Sequence, residues 1–337
     1  MAGTRTRGRR VLVALGILVA VVLLGASALA LQRAGPAGGA ASDPGATQDG
    51  AAQDDAGAGS AGAGGAPVVV AVGDVACPPD EPVEDDSCQH AATAEAAASV
   101  DPDAVLALGD LQYPDGELED FEASYDPTWG RLKDVTHPVI GNHEMRDDDG
   151  DGYYAYFGAA AGDRDAPWRS FEVGEWHVVA LDSECGGCLD DDSEQLEWLR
   201  EDLAASDARC TLAYAHRPRF ASDGNHGDED SMEAVWEVLD AAGADVVLGA
   251  HAHYYERTAP LTADGVEDEQ GLTSFVVGTG GDSFHGLDDP DEATQVRQND
   301  TFGVLALTLH PDRYDWEFVP VEGGDFEDAG TAACASA

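Results

Sequence analysis

The chain has 337 residues, 43% of them hydrophobic, enough to build a proper core and too many for a disordered protein. Its formal net charge is −49, with one lysine, Lys133, against 66 acidic residues, which excludes a nucleic-acid binder working through a basic face. A surplus of this sign and size reads as a solvated surface that keeps the protein soluble.

The first ten residues carry four arginines, and the stretch that follows, "VLVALGILVAVVLLGASALALQ", is nearly uncharged over about twenty residues, long enough to span a membrane. Ala26, Ala28 and Ala30 offer A-x-A cleavage sites. Residues 1–31 are therefore expected to be a signal peptide or a retained N-terminal anchor, and either outcome places the rest outside the cytoplasm, secreted or tethered to the membrane. Residues 32–66 are rich in Ala, Gly and Asp and lack aromatic and branched apolar side chains, so they read as a flexible tether that cannot offset its ordering entropy. The folded domain is expected over 67–337, with no internal repeat.

Within it, short apolar runs end in polar residues of a restricted kind. "APVVVAVGD" ends at Asp74, "DAVLALGDLQY" passes Asp110 to Tyr113, and "HPVIGNHE" reaches Asn142 and His143; "TLAYAH" ends at His216, and "DVVLGAHAH" at His251 and His253. Continuous apolar runs of this length suit strands buried on both faces. Between them, "SEQLEWLREDL" places Leu196, Leu199 and Leu203 at helical spacing behind a Ser193 cap. This is α/β organisation, in which ligands bind beyond the carboxyl ends of the strands. Extended backbone would project His251 and His253 to one side. Each residue alone has an ordinary reading: Asp74 and Asp110 as turn residues, Asn142 as a helix cap, His216 as a core histidine, Tyr113 as a core or rim aromatic. Five strand ends delivering Asp, Asp, Asn, His and a His pair along one sheet edge point instead to divalent or trivalent ions.

Two further features stand apart. The run Asp147 to Gly152, "DDDGDG", has calcium-loop composition but lacks the bidentate Glu at the twelfth position and flanking helices. Six cysteines in an exported chain favour disulfides. Joining the near neighbours Cys77 with Cys88 and Cys185 with Cys188 would leave Cys210 for Cys334, although "CGGC" is also the spacing of a redox or zinc motif.

The ordered blocks "GD" at Asp74, "GDLQY" at Asp110 to Tyr113, "GNHE" at Asn142 to Glu144, "AYAH" at His216 and "AHAHYYER" at His251 to Arg257 resemble those of the calcineurin-like metallophosphoesterases, and within them the purple acid phosphatases. The resemblance implies a four-layer α/β/β/α sandwich of two mixed sheets with a binuclear metal site at the strand ends. It implies Asp74, Tyr113 and His253 on a first ion, Asn142, His216 and His251 on a second, and Asp110 bridging. A phenolate ligand suits Fe(III) at the Tyr113 site; the second site suits Zn, Mn or Fe(II). Two such cations lower the pKa of a bound water and hold the attacking and leaving oxygens of an in-line displacement, so the implied activity is phosphate monoester hydrolysis, with phosphodiesters or nucleotides as the alternative substrates and a silent surface protein as the non-enzymatic one. His143 and His226 resemble the histidines that contact the phosphoryl group or protonate the leaving group. Glu256 and Arg257 are expected to orient the ligand strand. Relatives usually have Gly where this chain has Ala250, and the expected partner is a phosphorylated small molecule or phosphoester, not nucleic acid.

Overall fold

A computed structural model of the chain describes residues 65–222 and 224–335. The expected leader at 1–31 and nearly all of the expected tether at 32–66 lie outside the described residues. Among the described residues no helix is long and apolar enough to cross a membrane.

Two mixed sheets make up the fold. The first takes its strands from the two ends of the described chain: β1 (Val68–Val72), β2 (Ala104–Ala107) and β3 (Thr136–Pro138) run parallel. The second is built from the stretch between: β4 (Arg169–Val173), β5 (Trp176–Ala180), β6 (Cys210–Tyr214), β7 (Val246–Gly249), β8 (Tyr255–Thr258), β9 (Thr273–Val277) and β10 (Thr294–Gln298), in the order β10-β8-β9-β7-β6-β5-β4. The chain then returns to the first sheet with β11 (Gly303–His310), β12 (Arg313–Pro320) and β13 (Ala329–Ala333), giving the order β13-β12-β11-β1-β2-β3, with β11 antiparallel to β1.

The alternation of side chains along each strand sorts the apolar residues into three layers. Val69, Ala71, Leu106 and Leu108 from the first sheet meet Val178, Ala180, Leu212, Tyr214, Val246 and Leu248 from the second in a core between the sheets. On the outer face of the first sheet, Val70, Val72, Val105 and Ala107 pack against Ala94 and Ala97 of α1 (His90–Ser99) and against Phe121, Tyr125, Trp129, Tyr153 and Phe157 of the helical segments that follow. These are two short turns, α2 (Leu118–Asp120) and α3 (Asp126–Trp129), joined by a π-helical turn, and α4 (Asp151–Phe157). Val179, Leu181, Ala213 and Val247 face outward from the second sheet onto α5 (Glu194–Ala205) and α6 (Glu233–Ala242). The result is the α/β/β/α order. Each of these fully buried Val and Leu side chains contributes about 1.5–3 kcal/mol, so the double-faced burial of the central strands carries the fold.

Local signals read from sequence hold where they are local. The Ser193 hydroxyl accepts the Leu196 N–H at 3.2 Å, starting α5, and its Leu196 and Leu199 are buried. Gly243, with φ 72°, ends α6 in the left-handed conformation that favours glycine. One expectation needs correction: the five motif strands do not share one sheet. β1, β2 and β3 belong to the first and β6 and β7 to the second, and the two carboxyl edges face each other. The three disulfides are Cys77–Cys88, Cys185–Cys188 and Cys210–Cys334, and no described cysteine is free.

Candidate metal centre

Three of the five motif strands, β1, β2 and β7, end in a sharp turn. Asp74, Asp110 and His251 have φ of 58°, 49° and 67°, the left-handed region that non-glycine residues enter at a cost of about 1–3 kcal/mol each. Such conformations persist only where the surroundings over-determine them. Around Asp110 they do: a Cβ on Gly141 would lie 2.2 Å from the Asp110 nitrogen and Oδ1, so only glycine lets the β3 turn close over it. Strand alternation does not relate His251 to His253, because β7 has already ended at Gly249. Instead the Ala252 N–H turns back to the Ala250 carbonyl (2.7 Å) around His251, and the Tyr254 N–H to the Ala252 carbonyl (2.8 Å) around His253. Two successive three-residue turns therefore aim the two imidazoles. Ala250 is fully buried, and its methyl occupies space that Gly73 leaves: a Cβ built on Gly73 would sit 2.4 Å from the Ala250 Cβ.

The turns from both sheets bring seven side chains together. Tyr113 Oη lies 3.1 Å from Asp74 Oδ1 and 3.0 Å from His253 Nε2. His216 Nε2 lies 3.3 Å from Asn142 Oδ1 and 3.2 Å from His251 Nδ1. Between these groups stands one atom, Asp110 Oδ2, 3.3 Å from Tyr113 Oη and 3.3 Å from His216 Nε2. Each group draws on both sheets: Asp74 and Tyr113 with His253, Asn142 with His216 and His251. The carboxylate of Asp110 and the imidazoles of His216 and His251 are close enough to hold a single ion. Asp74 Oδ2 is buried and makes no hydrogen bond, so the carboxylate that meets the cluster through Oδ1 keeps an unused acceptor. Oxygen and imidazole donors of this mixture suit first-row divalent and trivalent metals.

Electrostatics agree with that chemistry. Burial holds His251 and His253 neutral, with pKa values depressed to about 2 and about 3, so each ring keeps one nitrogen lone pair free for an ion near neutral pH. His216 behaves oppositely: burial disfavours its charge, but Asp110, Asp74 and Glu184 outweigh it and raise its pKa to about 10. Burial also raises the Asp74 carboxyl and the Tyr113 phenol, the latter further through Asp74 and Asp110. Burial opposes the Asp110 charge too, but His216 and His143 outweigh it and lower its pKa, so a proton on His216 supplies the positive charge that the Asp110 carboxylate needs.

The ligating atoms are aimed from behind. His216 Nδ1 meets the Leu108 carbonyl at 2.8 Å, and His253 Nδ1 meets the Ser283 carbonyl at 3.1 Å, which leaves Nε2 of both rings toward the cluster. Glu144, fully buried, accepts four backbone N–H groups, from Asp110 (2.9 Å), Leu111 (2.7 Å), Gln112 (3.1 Å) and Gly141 (2.9 Å), and so staples the β2 turn to the β3 turn. Burial and Asp110 push its carboxyl up to about 7 while the Gln112 and Gly141 N–H groups pull it down. Glu144 lies within the block "GNHE", and no local pattern in the sequence distinguishes its role from that of a surface acid.

His143 packs against Tyr113 with the rings tilted by 52° (centroids 4.3 Å), its Nδ1 2.5 Å from the Pro114 carbonyl and its Nε2 3.9 Å from Asp110 Oδ2. His226 is exposed, its ring 4.0 Å from that of His251. Glu256 is buried and accepts from Ser222, Tyr254 and Thr294, and Arg257 pairs with Asp328 at 2.8 and 2.9 Å, so both brace the strand and do not face the cluster. The acidic run Asp147 to Gly152 is closed by Arg164, whose guanidinium donates to the Asp148 and Asp149 carbonyls at 2.8 and 3.0 Å and pairs with the Asp151 carboxylate.

Four layers with buried acids and imidazoles at two facing sheet edges define an α/β protein built around a candidate binuclear metal centre. Residues 67–255 match the family described as "Calcineurin-like phosphoesterase", and the chain belongs to that family. Among curated proteins it is 29% identical over 263 residues to "Purple acid phosphatase 15" of Arabidopsis thaliana, covering 65% of this chain and 49% of that one. It is 33% identical over 153 residues to "Purple acid phosphatase 18" of the same plant (42% and 34%). The chain thus spans about half or less of the length of these relatives. Among solved structures, the yellow lupin purple acid phosphatase PPD1 superposes with TM-score 0.66 at 20% identity, over 79% of this chain and 53% of that chain. The Plasmodium protein GAP50, titled as the anchor in the inner membrane complex, superposes with TM-score 0.58 at 14% identity, over 80% of this chain and 90% of that one. These likenesses show the fold.

Proposed function

We propose that this chain is an exported phosphatase that hydrolyses phosphate monoesters at a binuclear metal centre. The observation that carries the proposal is the position of Asp110 Oδ2, equidistant at 3.3 Å from Tyr113 Oη and His216 Nε2 and so shared by two donor sets. Asp74, Tyr113, His253 and Asp110 would hold the first ion, for which a phenolate favours Fe(III); Asn142, His216, His251 and Asp110 would hold the second, Zn, Mn or Fe(II). Two cations held there would neutralise charge developing on a phosphoryl group and make a water nucleophilic near neutral pH. His143, held by the Pro114 carbonyl through Nδ1, presents Nε2 on the Asp110 side, where it can meet a phosphoryl oxygen or deliver a proton to the leaving group. His226 stands at the rim beside His251 and would meet the substrate's ester side. Three disulfides support an extracytoplasmic location, and the basic and apolar start of the sequence would direct export.

The test is release of phosphate from p-nitrophenyl phosphate by the metal-loaded protein, with Asp110→Asn beside it. Loss of the shared carboxylate is expected to cost several kcal/mol, about a thousandfold in kcat/KM. Equal inactivity of both proteins across a broad pH range would sink the proposal, and faster turnover of bis-p-nitrophenyl phosphate would reassign the site to diesters. The other reading is a silent surface protein of the same fold; metal uptake with no turnover of any phosphoester would favour it.

A further inference from the structure

His285 is not a donor in either set, yet it is joined to His253 at three points. The His253 N–H donates to His285 Nδ1 at 3.2 Å, the His285 N–H donates back to the His253 carbonyl at 3.0 Å, and the two rings lie parallel at 7° with centroids 4.0 Å apart. As acceptor, Nδ1 fixes the neutral ring's proton on Nε2. The segment that carries His285 is itself fastened: Asn299 Nδ2 donates to the His285 carbonyl at 2.6 Å, and the Gly224 N–H donates to the Gly286 carbonyl at 2.9 Å. That second bond ties in the loop bearing His226, whose ring lies 5.2 Å from His285 and 4.0 Å from His251. The rings of His253, His285, His226 and His251 thus form a continuous row joining the two donor sets.

We infer that His285 is a positioning residue for the centre, holding the His253 ring and its turn in the geometry that the first ion requires. His253 sits at the centre of the second tight turn and has no strand ladder to fix it; its own backbone N–H is held by the imidazole of His285. The ring face restrains rotation about the side-chain bonds, and the Nδ1 acceptor restrains the backbone. The functional consequence rests on the metal reading above, whereas the bracing itself does not.

Two substitutions separate the contributions: His285→Phe keeps an aromatic face and removes the acceptor, and His285→Asn keeps an acceptor near the Nδ1 position and removes the face. The first measurement uses metal-free protein and follows hydrogen–deuterium exchange of the peptide containing His253. Exchange about tenfold faster in His285→Phe and slower than that in His285→Asn is the expected result; exchange at the wild-type rate in both would overturn the inference. The second uses metal-loaded protein under chelator challenge, following metal content and the visible band of a Tyr113-bound ion. Loss of outer partners of this kind costs about 10–100-fold in metal affinity, so the ion at the Tyr113 site is expected to leave about tenfold sooner than in wild type, ahead of the second ion. Simultaneous release of both ions, or release at the wild-type rate, overturns the positioning role, since general loss of stability would free both together. A wild-type protein that takes up no metal refutes the metal centre, and the exchange experiment still decides the bracing.

Discussion

Two regions of this molecule concentrate acidic side chains, and they resolve their repulsion differently. In the loop from Asp147 to Gly152 the counter-charge is a permanent one: the guanidinium of Arg164 bonds two carbonyls and the Asp151 carboxylate. At the sheet edges Asp74 and Asp110 are buried, and no arginine or lysine pairs with either among the described residues. The counter-charge of Asp110 is the proton on His216, which a metal ion can displace, while burial holds the Asp74 carboxyl toward its neutral form. A cluster of acids reads as a metal site only when its neutralising charge is exchangeable, and aspartate-rich composition alone does not distinguish the two cases.

The strongest challenge to this contrast is the pH dependence of metal uptake. With a pKa of about 10 in the metal-free protein, His216 must lose its proton when an ion binds, so affinity is expected to rise about tenfold per pH unit from pH 6 to 9. Calorimetry in buffers of different ionisation enthalpy reads the proton released. In the metal-free protein the sign is reversed for stability: the raised pKa stabilises the fold fully below the unfolded value near 6.5, and that contribution is lost as pH rises through about 10. Affinity independent of pH would break the comparison.

Next in size is Glu144→Gln. Replacing one carboxylate oxygen by an NH₂ turns an acceptor of backbone N–H groups into a donor facing them, and is expected to lower metal affinity and kcat/KM about 10–100-fold. Metal titration of the folded variant checks it; wild-type affinity would show that the staple between turns does not shape the centre.

Gly73→Ala tests the packing beneath the turns. The added methyl meets the Ala250 Cβ, which overpacking prices at about 1–3 kcal/mol, and Ala250→Gly in the same chain is expected to restore most of it. Denaturant midpoints of the two single variants and the double variant measure the coupling. Additive effects would mean that Ala250 and Gly73 are not a complementary pair.

Arg164→Ala is expected to have the smallest effect. The pair is exposed and screened by solvent, so the denaturant midpoint should scarcely move and phosphatase activity should stay within twofold. A large loss of activity would show that the acidic loop is coupled to the centre after all.

The sequence made much of this legible. Asp74, Asp110, Tyr113, Asn142, His216, His251 and His253 are recognisable because each follows an apolar run, and strand ends are where open sheets place their ligands. The Ser193 cap and the leucines of α5 are equally local. What local pattern cannot carry is pairing: nothing in "VVVAV" says that β1 lies beside a strand more than 230 residues later, so five strands looked like one sheet. H-x-H at the end of a strand carries no mark of the turns that aim His251 and His253, so the pattern alone suggests an extended pair. His285 follows no periodic signal at all, being a loop residue whose significance comes entirely from what lies beside it.

The nesting of one sheet within the other has a consequence for how the chain is made. β1 to β3 emerge from the ribosome first, but the partner that completes their sheet, β11, comes only after all seven strands of the other sheet. Long-range closure of this kind is slow, and the early strands must wait with open edges. Shortening the chain before β11 would therefore remove more than a surface strand: it would strip β1 of one of its two neighbours along Val68–Ala71, leaving a product that contains every donor residue yet lacks part of the frame that assembles them.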